Sequence, residues 1–430
     1  MSPMASKIVA IAKVHVFSVL AFSIFGLMFV MRPMTWLPTA IVLLSAIVIV
    51  CRADLRRKAV ALATDNDLRW IVASFVAWFA ACLFLGLWHL GFAHKFFPEN
   101  PFRMFLALSA LLLTVHALSK SLWIAGLGVA SVCLVLNVIY GHVVFDQYFP
   151  RISGTTNHPI HFGNFAALIA MLLMSLAMLG RSESVRFRLF CIVGAVLALG
   201  GAVASQSRSS FVVLLCLVPL VFLGMKDRLH RWVVRAGIVL TVVVLVLVAT
   251  NPSIQEKLRI KETGSDIELI ESNNYQGSIG SRISMWQTAW SMFKDHPVLG
   301  IGPNKFQSEF ARRMQSGESP RADAEHNQPH NDLLNAASTG GLLKLMAYVF
   351  LIAAPFMFFH KKYKASQQDV NQRMLPIIGM QVVGAFFLTG LTNSNFDLQI
   401  YSTTFAVVVC VLAQLILFEQ RVKGGSVSMQ

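Results

Sequence analysis

The sequence predicts an all-α, polytopic membrane protein with about twelve transmembrane helices and one large helical insertion on the outer face of the membrane. Of its 430 residues, 56% are hydrophobic and only 13% are charged, whereas soluble domains carry about 25% charged residues. The apolar residues fall in long uncharged runs, as an α-helix needs to cross a hydrocarbon core about 30 Å thick. These observations exclude an ordinary soluble enzyme and a disordered chain.

Twelve runs are long and apolar enough to be candidate spans. They cover residues 14–31, 34–51, 70–93, 104–118, 121–140, 162–180, 189–204, 210–225, 236–250, 340–359, 374–392 and 399–418. Residues 1–250 therefore hold the first nine spans, residues 251–339 form the insertion, and residues 340–430 hold the last three spans and a C-terminal tail. The first run continues into the second, so we interpret it as an uncleaved span rather than a removed signal peptide.

The positions of the basic residues predict how these spans are oriented. If the N-terminus is cytoplasmic, every second connection is also cytoplasmic, and those connections carry most of the 36 Lys and Arg. Both termini are therefore predicted to be cytoplasmic, and the outer face receives the polar segments 141–161, 205–209, 251–333 and 393–398. Because the net charge of +15 is explained by this orientation signal, nucleic-acid binding is not predicted.

The insertion contains one stretch with helical periodicity. Its apolar residues recur at spacings of three and four, which predicts a helix with one apolar face; they are Ile283, Trp286, Ala289, Trp290 and Phe293. Asp295, His296 and Pro297 are predicted to end this helix. Arg282 stands near its start, where its residue type fits either a solvent-exposed charge or a binding group.

A second arginine, Arg208, lies in the polar turn SQSRSS at residues 205–210, between two outer span ends. An arginine at the membrane boundary is costly unless it reaches lipid headgroups or has an anionic partner. Ser209 or Ser210 can cap the next helix, whose N-terminus then favours anions. Arg208 is therefore a candidate phosphate-binding residue, with contact to lipid headgroups as the alternative.

The insertion ends in the sequence EHNQPHND, residues 325–332. Pro329 breaks any preceding helix and Asn331 is a favourable N-cap, so His330 is predicted to stand at the outward N-terminus of a helix. That position disfavours the imidazolium, which would leave His330 neutral and able to accept a proton.

A metal site is the competing interpretation of this segment. His326 and His330 are four residues apart, and Asp323, Glu325 and Asp332 are close in sequence. Pro329, however, interrupts the helix that would align the two histidines, and all six cysteines lie in apolar runs. We therefore predict neither a metal nor another cofactor, and we interpret His158 and His161, also on the outer side, as turn residues.

Together, these outer segments resemble the O-antigen ligase and polymerase superfamily of bacterial polysaccharide assembly. Residues 282–306, RISMWQTAWSMFKDHPVLGIGPNKF, resemble the family's Arg-containing helix and its DHPxxGxGxxxF segment. His330-Asn331, followed after nine residues by Gly341, resembles the HNx9G signature, and the SRSS turn at Arg208 resembles a weaker motif. The family signature often continues GxxG, whereas Lys344 stands at the last position here.

The resemblance implies a metal-independent, inverting glycosyl transfer at the periplasmic face of the bacterial inner membrane. A glycan carried on undecaprenyl diphosphate would pass to a hydroxyl of lipid A-core, both substrates lying among the membrane lipids. His330 would be the general base, Arg208 and Arg282 would bind the diphosphate, and Asn331 would bind substrate.

Two other functions remain as alternatives. One is a polysaccharide repeat-unit polymerase, which uses the same donor but a lipid-linked glycan as acceptor. The more distant one is a secondary transporter, which is disfavoured because the spans contain almost no Asp or Glu for ion coupling.

Overall fold

A computed structural model describes most of residues 43–60, residues 65–91, 97–113, a few positions within 132–139, residues 152, 153 and 156, and residues 158–179, 184–224, 275, 277–320, 326–366 and 372–427. Within these ranges 83% of the residues are helical and none lies in a β-strand, which agrees with the predicted all-α class. Five of the described helices are long and apolar enough to cross a membrane. The total of twelve spans stays a prediction, because runs 14–31 and 236–250, and most of 34–51 and 121–140, lie outside the described residues.

Ten helices make up the described bundle, apart from helical residues within 43–60 and 132–139. They are α1 (Arg69–Leu90), α2 (Glu99–Leu113), α3 (Pro159–Leu179), α4 (Val185–Ala204), α5 (Arg208–Gly224), α6 (Gly277–Asp295), α7 (Phe306–Ser316), α8 (Asp332–Ala365), α9 (Met374–Gly390) and α10 (Gln399–Val427). The five candidate spans lie in α1, α3, α4, α8 and α10, whereas α5 and α9 are shorter apolar helices.

The centre of the bundle is formed by α3, α9 and α10, whose side chains are buried on nearly every face. A helix that is apolar all round is expected at such a position. Helix α4 instead exposes apolar side chains, among them Val193, Val196 and Val203, on one flank. In a membrane protein this flank fits the lipid, which is as apolar as the side chains themselves. Polar contacts also join the central helices; for example, Ser175 Oγ of α3 donates to Gln381 Oε1 of α9 at 2.8 Å.

The helix ends gather in two groups at opposite ends of the bundle. At one end, the 391–398 segment contacts the starts of α2, α8 and α10. At the other, Asp67 forms ion pairs with Lys361 and Lys362 of α8. Asn164 and Tyr401 connect the 205–209 turn to the start of α10, and Asn331 connects the end of the insertion to Leu391. These segments therefore share one end with residues 393–398, while the alternation of all twelve predicted spans stays a prediction. Which side of the membrane this end faces stays a prediction.

Helix α8 begins at Asp332 rather than at residue 340, because the Asn331 side chain caps it. The first part of α8, residues 332–340, is nevertheless separate from the predicted span. The two parts are divided at Gly341, whose backbone angles of φ +60° and ψ −155° are not helical. The second part, from Leu342 onward, coincides with the predicted span at 340–359. The division of the chain at residues 251–339 stays a prediction.

The break at Gly341 is filled by the turn at residues 297–302. Two carbonyls at the end of the first helical part, those of Ser338 and Thr339, accept from the amides of Ile301 (2.9 Å) and Gly302 (3.1 Å). The amides that begin the second part, at Leu342 and Leu343, donate to the carbonyls of residues 297 (2.7 Å) and 298 (3.3 Å). These bonds satisfy backbone groups that a helix break would otherwise leave without partners. We call this arrangement the Gly341 clasp.

Two glycines allow the clasp to close. A Cβ atom on Gly341 would collide with the backbone of Val298, and one on Gly300 would collide with the backbone of residues 338–340. Both glycines also have positive φ, which other residues rarely adopt. The DHPxxGxG segment and the HNx9G signature are therefore two halves of one backbone contact, and this contact holds the first part of α8 in place.

Helix α6 ends at Asp295, as predicted, but its buried face differs from the predicted one. Met285, Ala289 and Met292 are buried against α7, whereas Trp290 is 50% exposed. The buried face is rotated away from the predicted stripe because α6 packs against both α7 and α8. An ion pair between the buried guanidinium of Arg313 and the carboxylate of Asp295, at 2.7 Å, connects α7 to α6.

Candidate active site

His330 stands immediately before the N-terminus of α8, at the end of the bundle that also holds the 391–398 segment. As predicted, Asn331 is the N-cap, and its Oδ1 accepts from the Leu334 amide at 3.1 Å. His330 itself has φ +49°, a left-handed conformation that is uncommon for residues other than glycine. Such conformations persist where the surroundings fix them, and they cluster at functional sites.

A chain of carboxamides behind His330 determines which of its ring nitrogens carries the proton. The Phe386 carbonyl can only accept, so Asn395 directs Nδ2 toward it (3.1 Å) and Oδ1 toward Asn393 Nδ2 (3.0 Å). Asn393 therefore presents its Oδ1 to His330 Nδ1, 3.4 Å away, and the Nδ1–H group of His330 donates. In this tautomer the lone pair is on Nε2, which is the nitrogen that can take a proton from a substrate.

Burial lowers the pKa of His330 to about 4. The hydrogen bond with Asn393 opposes this shift, whereas the charge of Arg282 and the neighbouring His326 and His158 lower the pKa further. His330 is therefore neutral near pH 7. The neutral state agrees with the prediction, but its main cause is burial rather than the helix N-terminus from which we predicted it.

The two predicted binding arginines are close enough to influence each other. Burial and the positive charge of Arg208 both lower the pKa of Arg282, and the charge of Arg282 in turn lowers that of His330. Among the described residues, no carboxylate contributes to the pKa shift of Arg282. The structure thus gathers Arg208, Arg282 and His330 at one end of the bundle, where a multivalent anion would relieve the repulsion between the guanidiniums.

The turn that carries Arg208 is fixed by a buried asparagine of α3. Asn164 Oδ1 accepts from Ser209 Oγ (2.9 Å) and from Ser210 Oγ (3.2 Å), while its Nδ2 donates to the Tyr401 hydroxyl (3.3 Å). The prediction that Ser209 or Ser210 caps α5 is wrong, because α5 already begins at Arg208 and these hydroxyls bind α3 instead. Arg208 is therefore the first residue of α5, and the N-terminus of a helix favours anions.

Both polar atoms of the Asn331 side chain form hydrogen bonds within the protein. Besides capping α8, it donates from Nδ2 to the Leu391 carbonyl at 3.2 Å. Asp332 and Asn335 extend this connection, since the Asp332 carboxylate accepts from the Phe396 amide (3.3 Å) and Asn335 donates to Asp397 (2.7 Å). These bonds hold the start of α8 against the 391–398 segment, and direct contact of Asn331 with substrate stays a prediction.

Three further histidines surround His330. The rings of His326 and His330 lie 5.8 Å apart, and those of His158 and His161 lie 5.0 Å apart. The Ile160 amide donates to His158 Nδ1 (3.3 Å), which fits the predicted turn role. For His161 that prediction is wrong, because His161 lies in the first turn of α3 with its Nδ1 3.2 Å from the Tyr401 hydroxyl. In the described ranges, no three His, Cys, Asp or Glu side chains form a group that could hold a metal ion, while Asp323 and Glu325 lie outside those ranges.

Sequence reasoning missed the residues that orient the predicted groups. Asn393 and Asn395 act on His330 from a segment about 60 residues away, and Asn164 acts on the Arg208 turn from 45 residues away. The run TNSNFD at 392–397, polar between two apolar helices, was the available signal. A polar run at a helix end indicates a loop, but it does not show which side chain in another loop it contacts.

The chain resembles one protein family and one curated protein in the comparisons with known proteins. The family model described as O-antigen ligase matches residues 193–349, a range that includes Arg208, Arg282, His330 and Gly341. A Haemophilus influenzae relative, described as an uncharacterized protein, is 23% identical over 294 residues, which cover 66% of this chain and 70% of the relative. Members of the superfamily are glycosyltransferase-type ligases and polymerases that act on lipid-linked glycans. The match at residues 193–349 supports the assignment of this chain to the O-antigen ligase family.

Proposed function

We propose that the protein is an inverting glycosyltransferase that moves a glycan from undecaprenyl diphosphate to a hydroxyl of lipid A-core, at the periplasmic face of the inner membrane. The observation that carries this proposal is the pairing of a neutral, oriented imidazole with two interacting guanidiniums. The pKa of His330 is lowered to about 4, and the charges of Arg282 and Arg208 act on the same small region.

The chemical step follows from these roles. The acceptor oxygen attacks the anomeric carbon from the side opposite the diphosphate, while its proton passes to His330 Nε2. The bond between the anomeric carbon and the phosphate oxygen breaks with both electrons on the diphosphate, so the configuration at the anomeric carbon inverts. A general base of this kind contributes about 100- to 10,000-fold to the rate.

Arg208 and Arg282 act on the leaving group in this mechanism. The departing diphosphate gains negative charge in the transition state, and two fixed guanidiniums stabilise that charge as it develops. The N-terminus of α5 beside Arg208 adds aligned backbone amides. The polyprenyl chain would lie along the lipid-facing surface, so that its diphosphate reaches the site at headgroup depth.

An assay with purified substrates separates the ligase from the polymerase. Detergent-purified protein is incubated with glycan-loaded undecaprenyl diphosphate, with and without lipid A-core, and the products are resolved by gel and mass spectrometry. The proposal predicts glycan-modified lipid A-core and no elongated lipid-linked glycan. Elongation of the donor glycan with lipid A-core left unmodified would instead identify a repeat-unit polymerase.

The low pKa of His330 predicts how transfer depends on pH. The neutral imidazole is the active form, so with a pKa of about 4 it stays fully available as the pH falls from 7 to about 5.5. We expect kcat/KM to be flat over this interval and to fall only as the pH approaches 4. An acid limb centred near 6.5, the value of an exposed imidazole, would contradict the buried environment described for His330.

A further inference from the structure

A polar cavity of about 670 Å³ lies beside the proposed site. Its walls come from the ends of α1 and α2, the 303–307 turn, residues 327 and 328, the first turns of α8 and the 396–398 turn. Neither arginine of the proposed site is among the residues that line it. Its volume is in the range of cavities that bind small ligands or parts of larger ones.

Six carboxamide side chains line this cavity. They are Asn100, Asn304, Gln307, Asn327, Gln328 and Asn335. A carboxamide offers both donors and an acceptor, as a sugar hydroxyl does, whereas a phosphate only accepts. Phe97 in the same lining is 48% exposed and provides apolar surface for the carbon face of a sugar ring. This combination favours a saccharide over a lipid tail or a phosphate.

The cavity and the base share their supporting segments. Residues 327 and 328 belong to the short segment that ends at His330, and Asn335 lies one turn after the Asn331 cap. Asp397, which accepts from Asn335 at 2.7 Å, stands in the same connection as the Asn393 that orients the imidazole. His330 itself does not line the cavity, but residues 327 and 328 before it in the chain and Asn335 after it do.

We propose that this cavity binds the acceptor saccharide and directs its reactive hydroxyl toward His330. The inference rests on the proposed function, and it assigns the donor diphosphate and the acceptor sugar to opposite sides of the base. That arrangement is required for inversion, because the acceptor oxygen must approach the anomeric carbon from the face opposite the leaving group.

Lys344 provides a positive charge in the lining of the cavity. Its Nζ donates to Thr339 Oγ1 at 3.1 Å and lies 5.8 Å from the centre of the Trp78 ring. The lining carboxylates have other partners, since Glu99 pairs with Arg103 (3.0 Å) and Asp397 accepts from Asn335. Lys344 is therefore placed to bind an anionic substituent of the acceptor saccharide, such as a carboxylate or a phosphate.

Direct binding tests this assignment independently of transfer. The core oligosaccharide, released from lipid A, is titrated into the purified His330→Ala protein by calorimetry. Adding Gln307→Ala together with Gln328→Ala is expected to weaken oligosaccharide binding about tenfold through lost hydrogen bonds, while binding of undecaprenyl diphosphate is unchanged. Gln315→Ala is the matched control, because Gln315 is exposed on the same helix as Gln307 but outside the cavity.

A second variant tests the role of the ammonium group. Lys344→Gln is expected to weaken binding of the anionic oligosaccharide and to leave unchanged the binding of the same oligosaccharide after its charged substituents are removed. Equal binding by the Gln307/Gln328 variant and the Gln315 control would overturn the cavity assignment. Oligosaccharide binding that depends on the cavity, in a wild-type protein that transfers no glycan, would support the cavity and refute the transferase function.

Discussion

Replacing His330 by alanine is expected to reduce glycan transfer by about 100- to 10,000-fold, the contribution of a general base. The loss would fall on the chemical step, because the diphosphate is assigned to Arg208 and Arg282. His330→Gln is expected to lose transfer to the same degree, since a carboxamide can still hydrogen-bond to Asn393 but cannot accept the proton. The measurement is the single-turnover rate of the purified variants with donor and lipid A-core.

His326→Ala is the control for this prediction. The ring of His326 lies 5.8 Å from that of His330, so its removal changes the same surroundings without removing the base. We expect this variant to keep its transfer rate within about tenfold of the wild type, since it perturbs only the pKa of the base. Comparable losses in both variants would show that the loss at His330 is a general disturbance of the segment. A His330→Ala protein with the full rate would exclude it as the base.

Replacing Gly341 by alanine is expected to have the second large effect. The new Cβ atom would collide with the Val298 backbone, and the clasp that positions the first part of α8 could not close. A displacement of about 1 Å at a reacting group can cost about 100-fold in rate, so transfer should fall by about that factor. The midpoint of thermal unfolding in detergent should fall as well.

Gly91 provides a matched control for this substitution. It has nearly the same backbone conformation, with φ +66° and ψ 177°, but no atom of the described residues lies within 4 Å of the position of an added Cβ. Both alanine variants therefore share a backbone strain of about 1–3 kcal/mol, and only Gly341→Ala adds the collision. If the two variants unfold at the same temperature and transfer equally well, the clasp is not the reason for glycine at position 341.

The part of the fold that depends on local patterns could be predicted. Apolar runs identified the described spans, Asn331 was predicted to cap a helix from its residue type, and Asp295-His296-Pro297 to end α6. These features depend on hydrogen bonds and hydrophobic contacts within a few residues. The neutral His330 was also predicted, although the larger cause of its low pKa is burial, which a sequence does not display.

Contacts between distant segments could not be predicted from these patterns. The buried face of α6 is turned away from the predicted stripe because two neighbouring helices, α7 and α8, determine it. Similarly, the pairing of Asn393 with His330 and of Asn164 with Ser209 joins loops whose approach is set by the whole bundle. The family motifs indicated which glycines matter, and only the structure shows that Gly300 and Gly341 serve one backbone contact.

In the proposed mechanism, Arg208 and Arg282 hold the diphosphate while His330 performs the chemistry. Binding of undecaprenyl diphosphate to the purified protein, measured for His330→Ala and for the combined Arg208→Gln and Arg282→Gln variant, tests this claim most directly. We expect His330→Ala to bind with wild-type affinity and the arginine variant to bind at least tenfold more weakly, since each lost charged hydrogen bond costs about 1.5–3 kcal/mol. Wild-type affinity in the arginine variant, or lost affinity in His330→Ala, would contradict it.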